Sequence, residues 1–304
     1  MSWSRSIVLA GLLVPISAWG HHSVEDTIRE LTQKISKSPT PELYFKRAIE
    51  YRALRKSKEC EQDLRAALRL APDHYSSKMA LARLLMKSGK YDEARTSSRE
   101  LLKSVSTRPR MIEARFLSAE LAHARGDHKK ALQVCQEIQK EFPDHDETID
   151  LFYAYLLIKG GKATQAAERL HQAYRRTHGV VLRNSWIDAS LLAGEIKSVW
   201  PVIQKELAES RFKAAWLIRR ARVAQLQGAK EQMHKDLKLA LTELESRIKP
   251  ERPDLTLVSD RGLALAMKGE KELAKKDLSL LRKSGFPARS FLFLEQLLLK
   301  KIKK

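Results

Sequence analysis

The sequence is poor in cysteine, aromatics and turn-forming residues. Only Cys60 and Cys135 occur in 304 residues, which excludes a disulfide-stapled scaffold. Aromatics make up 7%, and there are only 12 glycines and 10 prolines, so a turn-rich β fold is disfavoured and helix is favoured. No HExxH, GxSxG, P-loop or CxxC motif is found, so none of the chemistries those motifs support is indicated. Acid is also scarce: 57 Lys and Arg face 37 Asp and Glu, a net charge of +20. The charged fraction of 31% beside 43% hydrophobic residues belongs to a globular chain and not a disordered one.

The first twenty residues, MSWSRSIVLAGLLVPISAWG, stand apart. Arg5 gives a positive start, Ile7 to Trp19 is an apolar run broken by Pro15, and Ala18 and Gly20 are small residues before His21. This is the pattern of a secretory signal peptide, and the run is short for a membrane span. Residues 1–20 are therefore expected to direct export, with the bacterial periplasm as destination. His21 and His22 would begin the mature chain. A terminal amine beside imidazole suits copper, but no third nitrogen ligand is in view, so no metal or other cofactor is expected.

The rest of the chain repeats itself. KSGKYDEAR (87–95) and ARGDHKKAL (124–132) share a Gly with an Ala five residues later. Gly161, Gly194, Gly228 and Gly269 continue the series, and one step back from Gly89 falls on Arg55. The steps are 34, 37, 35, 33, 34 and 41 residues. Seven residues before each marker stand Ala48, Ala82, Ala119, Ala154, Ile187, Ala221 and Gly262; five after stand Cys60, Ala94, Ala131, Ala166, Val199, Met233 and Ala274. Columns four before, nine after and twelve after are mostly apolar. Such offsets put residues on one face of a helix. Each unit reads as two amphipathic helices joined at the Gly, which takes the left-handed backbone that ends the first. Small residues on both sides of the turn let the two axes approach closely. Pro72 and Pro143 end the second helix of their units.

A period of about 34 residues in this frame resembles the tetratricopeptide repeat. AIEYRALRKSKECEQDLRAALRLAPDH and AELAHARGDHKKALQVCQEIQKEFPDH carry the resemblance most fully, and it extends over 41–286. It implies an all-α, right-handed α-solenoid of about seven helical hairpins. The last three units depart from the frame: Ile187 and Val199 replace small residues, and Glu206 interrupts an apolar column. Residues 21–40 are expected to form an N-terminal capping helix, started by Ser23 with Asp26 three residues on. Residues 287–304 are expected to be a C-terminal capping helix with a basic tail. The loop SRIKPERPD (246–254) is expected to account for the 41-residue step. Cys60 and Cys135 fall in packing columns two units apart, too far for a disulfide, and should be buried free thiols. His74, His145 and His178, at unit boundaries, are expected to be solvated.

The resemblance also implies a working surface. In the family, the first helix of each unit lines a concave face. The matching positions here include Phe45, Arg52, Met79, Arg83, Phe116, His123, Tyr155, Asn184, Arg219 and Arg222. Aromatics, Met and Arg are types that anchor interfaces. The expected function is a non-enzymatic exported scaffold that binds a protein or peptide partner there, with the positive charge favouring an acidic partner. Export argues against nucleic acid as the partner. The alternative is a basic binder of anionic lipid or acidic glycan, for which FLFLEQLLLKKIKK at the end offers a peripheral membrane contact.

Overall fold

The computed structural model describes residues 23–299, which form helices and connecting turns. They fall into two compact units that meet in sequence at Val105 and Ser106. The expected leader, His21, His22 and the last five residues lie outside the described residues. Among the described residues, no helix is long and apolar enough to cross a membrane.

The first unit opens with α1 (Val24–Lys37). Ser23 caps it: its Oγ accepts from the Asp26 amide at 3.1 Å and donates to the Asp26 carboxylate at 2.9 Å. Leu31 and Ile35 are its buried residues, and it packs on α2. Two hairpins follow, α2 (Pro41–Ala53) with α3 (Ser57–Leu70) and α4 (Tyr75–Lys87) with α5 (Tyr91–Ser104).

The second unit contains α6 (Arg108–Ala124), α7 (His128–Glu141), α8 (Glu147–Lys159), α9 (Ala163–Thr177), α10 (Val180–Ala193), α11 (Trp200–Glu209), α12 (Ala214–Leu226), α13 (Lys230–Arg247), α14 (Leu255–Lys268) and α15 (Lys271–Lys283). A 3-10 turn at Ala288–Phe291 leads into α16 (Leu292–Leu299). In both units the helices pack as successive pairs, the α-solenoid architecture of helical hairpins. The 41-residue step is shared between a loop and a long helix, since α13 runs for 18 residues.

The turns repeat atom for atom. Gly89, Gly126, Gly161, Gly194, Gly228 and Gly269 all have positive φ, and Arg55, at the position reached by stepping back from Gly89, has φ 58°. The amide after each marker donates to the carbonyl four residues before it: Lys56 to Tyr51, Lys90 to Leu85, Asp127 to Ala122, Lys162 to Leu157, Glu195 to Ser190, Ala229 to Ala224 and Glu270 to Leu265, at 2.8–2.9 Å. This bond closes a helix whose next residue is left-handed. Gly285 adds an eighth such turn after α15, with Phe286 donating to Leu281.

The small columns are buried in the hairpin interfaces. The hairpin in which both columns turn bulky is the one that opens. Ile187 and Val199 are both buried, yet α10 packs closely on α9 and has little close backbone approach to α11. Side chains of that volume hold the axes apart. Glu206 is tolerated because Arg183 donates to it at 2.7 Å. Cys60 and Cys135 are buried free thiols, and burial pushes the Cys135 thiol up to about 12. His145 is buried and not solvated. Its Nε2 lies 3.0 Å from Asp150 and its Nδ1 2.7 Å from the Phe142 carbonyl.

Candidate functional site

The ten expected contact residues all lie on first helices of hairpins, where the repeat frame puts them, but their environments differ. In the first unit, Arg52 is exposed and Phe45 is half-buried with its ring edge-on to His74 at 5.7 Å. Arg83 is half-buried on α4. Met79 is buried. Its position on α4 turns it into the packing between helices, so it serves the core and does not open onto a face.

In the second unit, α6 and α8 bring an aromatic cluster together. Phe116 is buried and packs edge-on to Phe152 at 5.4 Å; like Met79 it belongs to the core. His123 lies 5.6 Å from Phe152 and 5.3 Å from Tyr155, both edge-on. Its Nδ1 is 3.0 Å from Nδ1 of His128. Burial, then the charges of His128 and Lys159, lower its pKa. One nitrogen must donate and the other accept at this distance, so at most one ring can be charged without losing the contact. Phe152 was not anticipated; the aromatic run Phe152, Tyr153, Tyr155 in the sequence was the available signal.

Arg219 and Arg222 lie together on α12, but only one is available. Arg219 is bound to Asp188 of α10 by two hydrogen bonds of 2.8 Å and sits 4.8 Å over the Trp216 ring. Arg222 reaches only Gln225, and burial lowers its pKa. Both line a cavity of about 100 Å³ with Asp188 and Asp260. Burial lifts the Asp260 carboxyl to about 6, against the pull of Arg219. Asn184, on α10, has its amide oxygen buried without a hydrogen bond.

Apolar residues of α10, α12 and α14 such as Leu192, Ile218 and Leu263 also line that cavity, and the C-terminal segment closes it through Ser290, Phe291, Phe293, Leu294, Gln296 and Leu297. A second cavity of about 100 Å³ is lined by Leu151, Tyr155, Ile158, Val181, Ser185, Leu292 and Phe293, among others. The segment thus lies against the first helices α8, α10, α12 and α14. Gln296 donates to the Ile158 carbonyl at 3.3 Å and Ser259 to the Ser290 carbonyl at 3.0 Å. The segment also covers the last hairpin. Leu294 approaches Gly262, where an added Cβ would come within 2.8 Å of it. Glu295 is buried and accepts from Arg282 of α15 at 2.7 Å. The helix expected to cap therefore also occupies the first-helix face of its unit.

Among the described residues, no group of three or more His, Cys, Asp or Glu could hold a metal ion. The buried Asp150 is spent on His145, Gln139 and Arg176.

A family model described as tetratricopeptide repeat matches residues 45–97 and 79–146. Among solved structures, a tetratricopeptide repeat protein from Parabacteroides merdae superposes with a TM-score of 0.56 at 19% identity, over 90% of this chain and 99% of that one. PilF of Pseudomonas aeruginosa superposes with a TM-score of 0.51 at 16% identity, over 68% of this chain and 92% of that one. No curated protein matches. At such identities the superpositions speak for the fold: residues 45–146 match the tetratricopeptide repeat family, and the rest of the described chain continues the same architecture of helical hairpins.

Proposed function

We propose that the protein is a non-enzymatic, exported scaffold that holds a protein or peptide partner on the concave face formed by its first helices. Proteins of this fold are protein-interaction scaffolds. The observation that carries the reading is the seating of an apolar peptide segment, residues 290–297, against α8, α10, α12 and α14. A surface that accommodates one such segment has the shape and lining to take another. In the first unit Arg52 and Arg83, and in the second His123 and Tyr155, supply exposed or half-buried contacts on first helices, and the net charge of +20 steers acidic partners towards them. Export rests on residues 1–20, with the bacterial periplasm as the compartment.

The test is cross-linked capture of the tagged full-length protein from its native envelope fraction, with sequencing of the mature N-terminus. One enriched protein, lost in Arg83→Glu or in Tyr155→Ala, supports the scaffold and identifies its pathway. A mature chain starting at His21 supports export.

The same excess of positive charge favours a second reading, a binder of anionic lipid or acidic glycan. Binding that collapses between about 50 and 500 mM salt belongs to that reading, because exposed charges are screened at those concentrations. Contacts to an apolar face survive the change.

A further inference from the structure

The C-terminal segment is buried at several positions and still leaves open space against the groove. Phe291, Leu292 and Leu294 are buried, as is Glu295, which Arg282 holds on the α15 side. Phe293, Gln296 and Leu297 recur at the three- and four-residue spacing of one helical face. With Phe291 and Leu294 at the first cavity and Leu292 at the second, the segment leaves the space against the first helices incompletely filled. Phe293 is only half-buried and lines both cavities of about 100 Å³. A side chain that borders unfilled space loses packing contact on that side.

The polar ties to the groove are equally sparse. The bond from Gln296 to Ile158 is long at 3.3 Å, and the side chain of Arg282, which holds Glu295, is 56% exposed. The Asp260 carboxylate and Arg222 both border the first cavity, and the segment offers neither an ion-pair partner. An eight-residue helix has little stability of its own, so α16 is ordered only while seated.

We propose that residues 288–299 are a displaceable occupant of the first-helix groove in the second unit, and that the partner which replaces them is a short apolar protein helix of the same kind. That helix carries Phe or Leu at three- and four-residue spacing, larger side chains at the two cavities, and one carboxylate placed to meet Arg282. The resident segment is the template for this pattern, because it is the one occupant whose fit is known. The inference rests on the peptide-scaffold reading above and adds the partner's chemistry and the step that admits it.

The test uses amide hydrogen exchange on the full-length protein, alone and with excess synthetic peptide copying residues 286–304. The expectation is that amides of 292–299 exchange at least about 100-fold faster than those of α14 (Leu255–Lys268), through local opening. With the peptide they should change rate, while α14 stays protected. Exchange of 292–299 at the α14 rate would overturn the proposal, since the segment would then open only with the whole unit. Light scattering that shows chains pairing by exchange of this segment would also overturn it, in favour of self-association.

A labelled copy of the same peptide provides the second measurement. Phe293→Asp should bind it at least about tenfold more tightly than the unaltered protein does. Gln296→Ala, which removes the bond of the resident segment to the Ile158 carbonyl and leaves the groove unaltered, is the milder variant if Phe293→Asp fails to fold. A folded variant that gains no affinity contradicts the proposal. A partner captured through Arg52 and Arg83 would survive that result, so this idea and the scaffold reading fail separately.

Discussion

Arg220 and Asp236 face each other across the α12–α13 hairpin, sixteen residues apart, with two hydrogen bonds of 2.8 and 2.6 Å. Arg47 and Asp63 make the same pair in the first hairpin, and Arg261 and Asp277 in the last. Each Arg stands eight residues before its marker and each Asp eight after. At Gly161 the same positions hold Tyr153 and Arg169, and the guanidinium sits 5.8 Å over the ring. The repeat therefore has a polar register besides its small and apolar ones.

This register carries stability. The Asp236 side chain is fully buried, and removing one member of such a pair leaves the other without compensation. Asp236→Ala should cost about 3 kcal/mol, measured by urea unfolding of the full-length protein. Exposed Glu272, paired with Lys275 at 2.6 Å, is the control: Glu272→Ala should leave the urea midpoint essentially where it was, because water screens an exposed pair. Equal costs at the two sites would contradict the role of the register.

Arg55 holds a backbone conformation that six other units assign to glycine. A side chain in the left-handed region costs about 1–2 kcal/mol, and glycine returns part of that gain through its freer unfolded chain. Arg55→Gly should therefore stabilise the first unit by about 0.5 kcal/mol. Gly228→Ala should destabilise the second unit, because φ is 76° there and the space around it is open. Thermal unfolding of both variants checks the pair of opposite signs.

The His145–Asp150 contact should give the second unit a pH dependence. Burial alone would lower the pKa of His145, but the hydrogen bond to Asp150 and the charge of that carboxylate outweigh it, so the net shift is upward. Both ring nitrogens face oxygen acceptors, as an imidazolium requires. A raised folded-state pKa means that the stabilisation is fully present below the ordinary value of about 6.5 and is lost as pH rises through the folded-state value. His145→Gln should cost about 1.5 kcal/mol or more at pH 5.5 and clearly less at pH 9. A constant cost across that range would show that His145 acts through packing alone.

Much of the fold was legible because its determinants are local. A left-handed turn needs glycine or accepts strain, and close helix approach needs small side chains, so position alone located Arg55 and the interfaces at Ala48, Ala82 and Ala119. The opening at α10 and α11 was also visible as Ile187 and Val199. The polar register was missed because only three hairpins carry it in full. Met79 and Phe116 were expected on an open face, yet their helices turn those positions inward. The seating of the C-terminal segment could not be read from the sequence. It depends on how the second unit brings Ile158 to Gln296, 138 residues away in the chain, which no local pattern encodes.

The most direct test of the account is site-specific photocross-linking in the native envelope. A photoreactive phenylalanine derivative is placed at position 155 on first helix α8 or, in a second protein, at exposed position 239 on second helix α13. Position 155 should cross-link one partner protein while position 239 does not. Cross-linking of that partner only from position 239 would place its binding on the second helices and contradict the account.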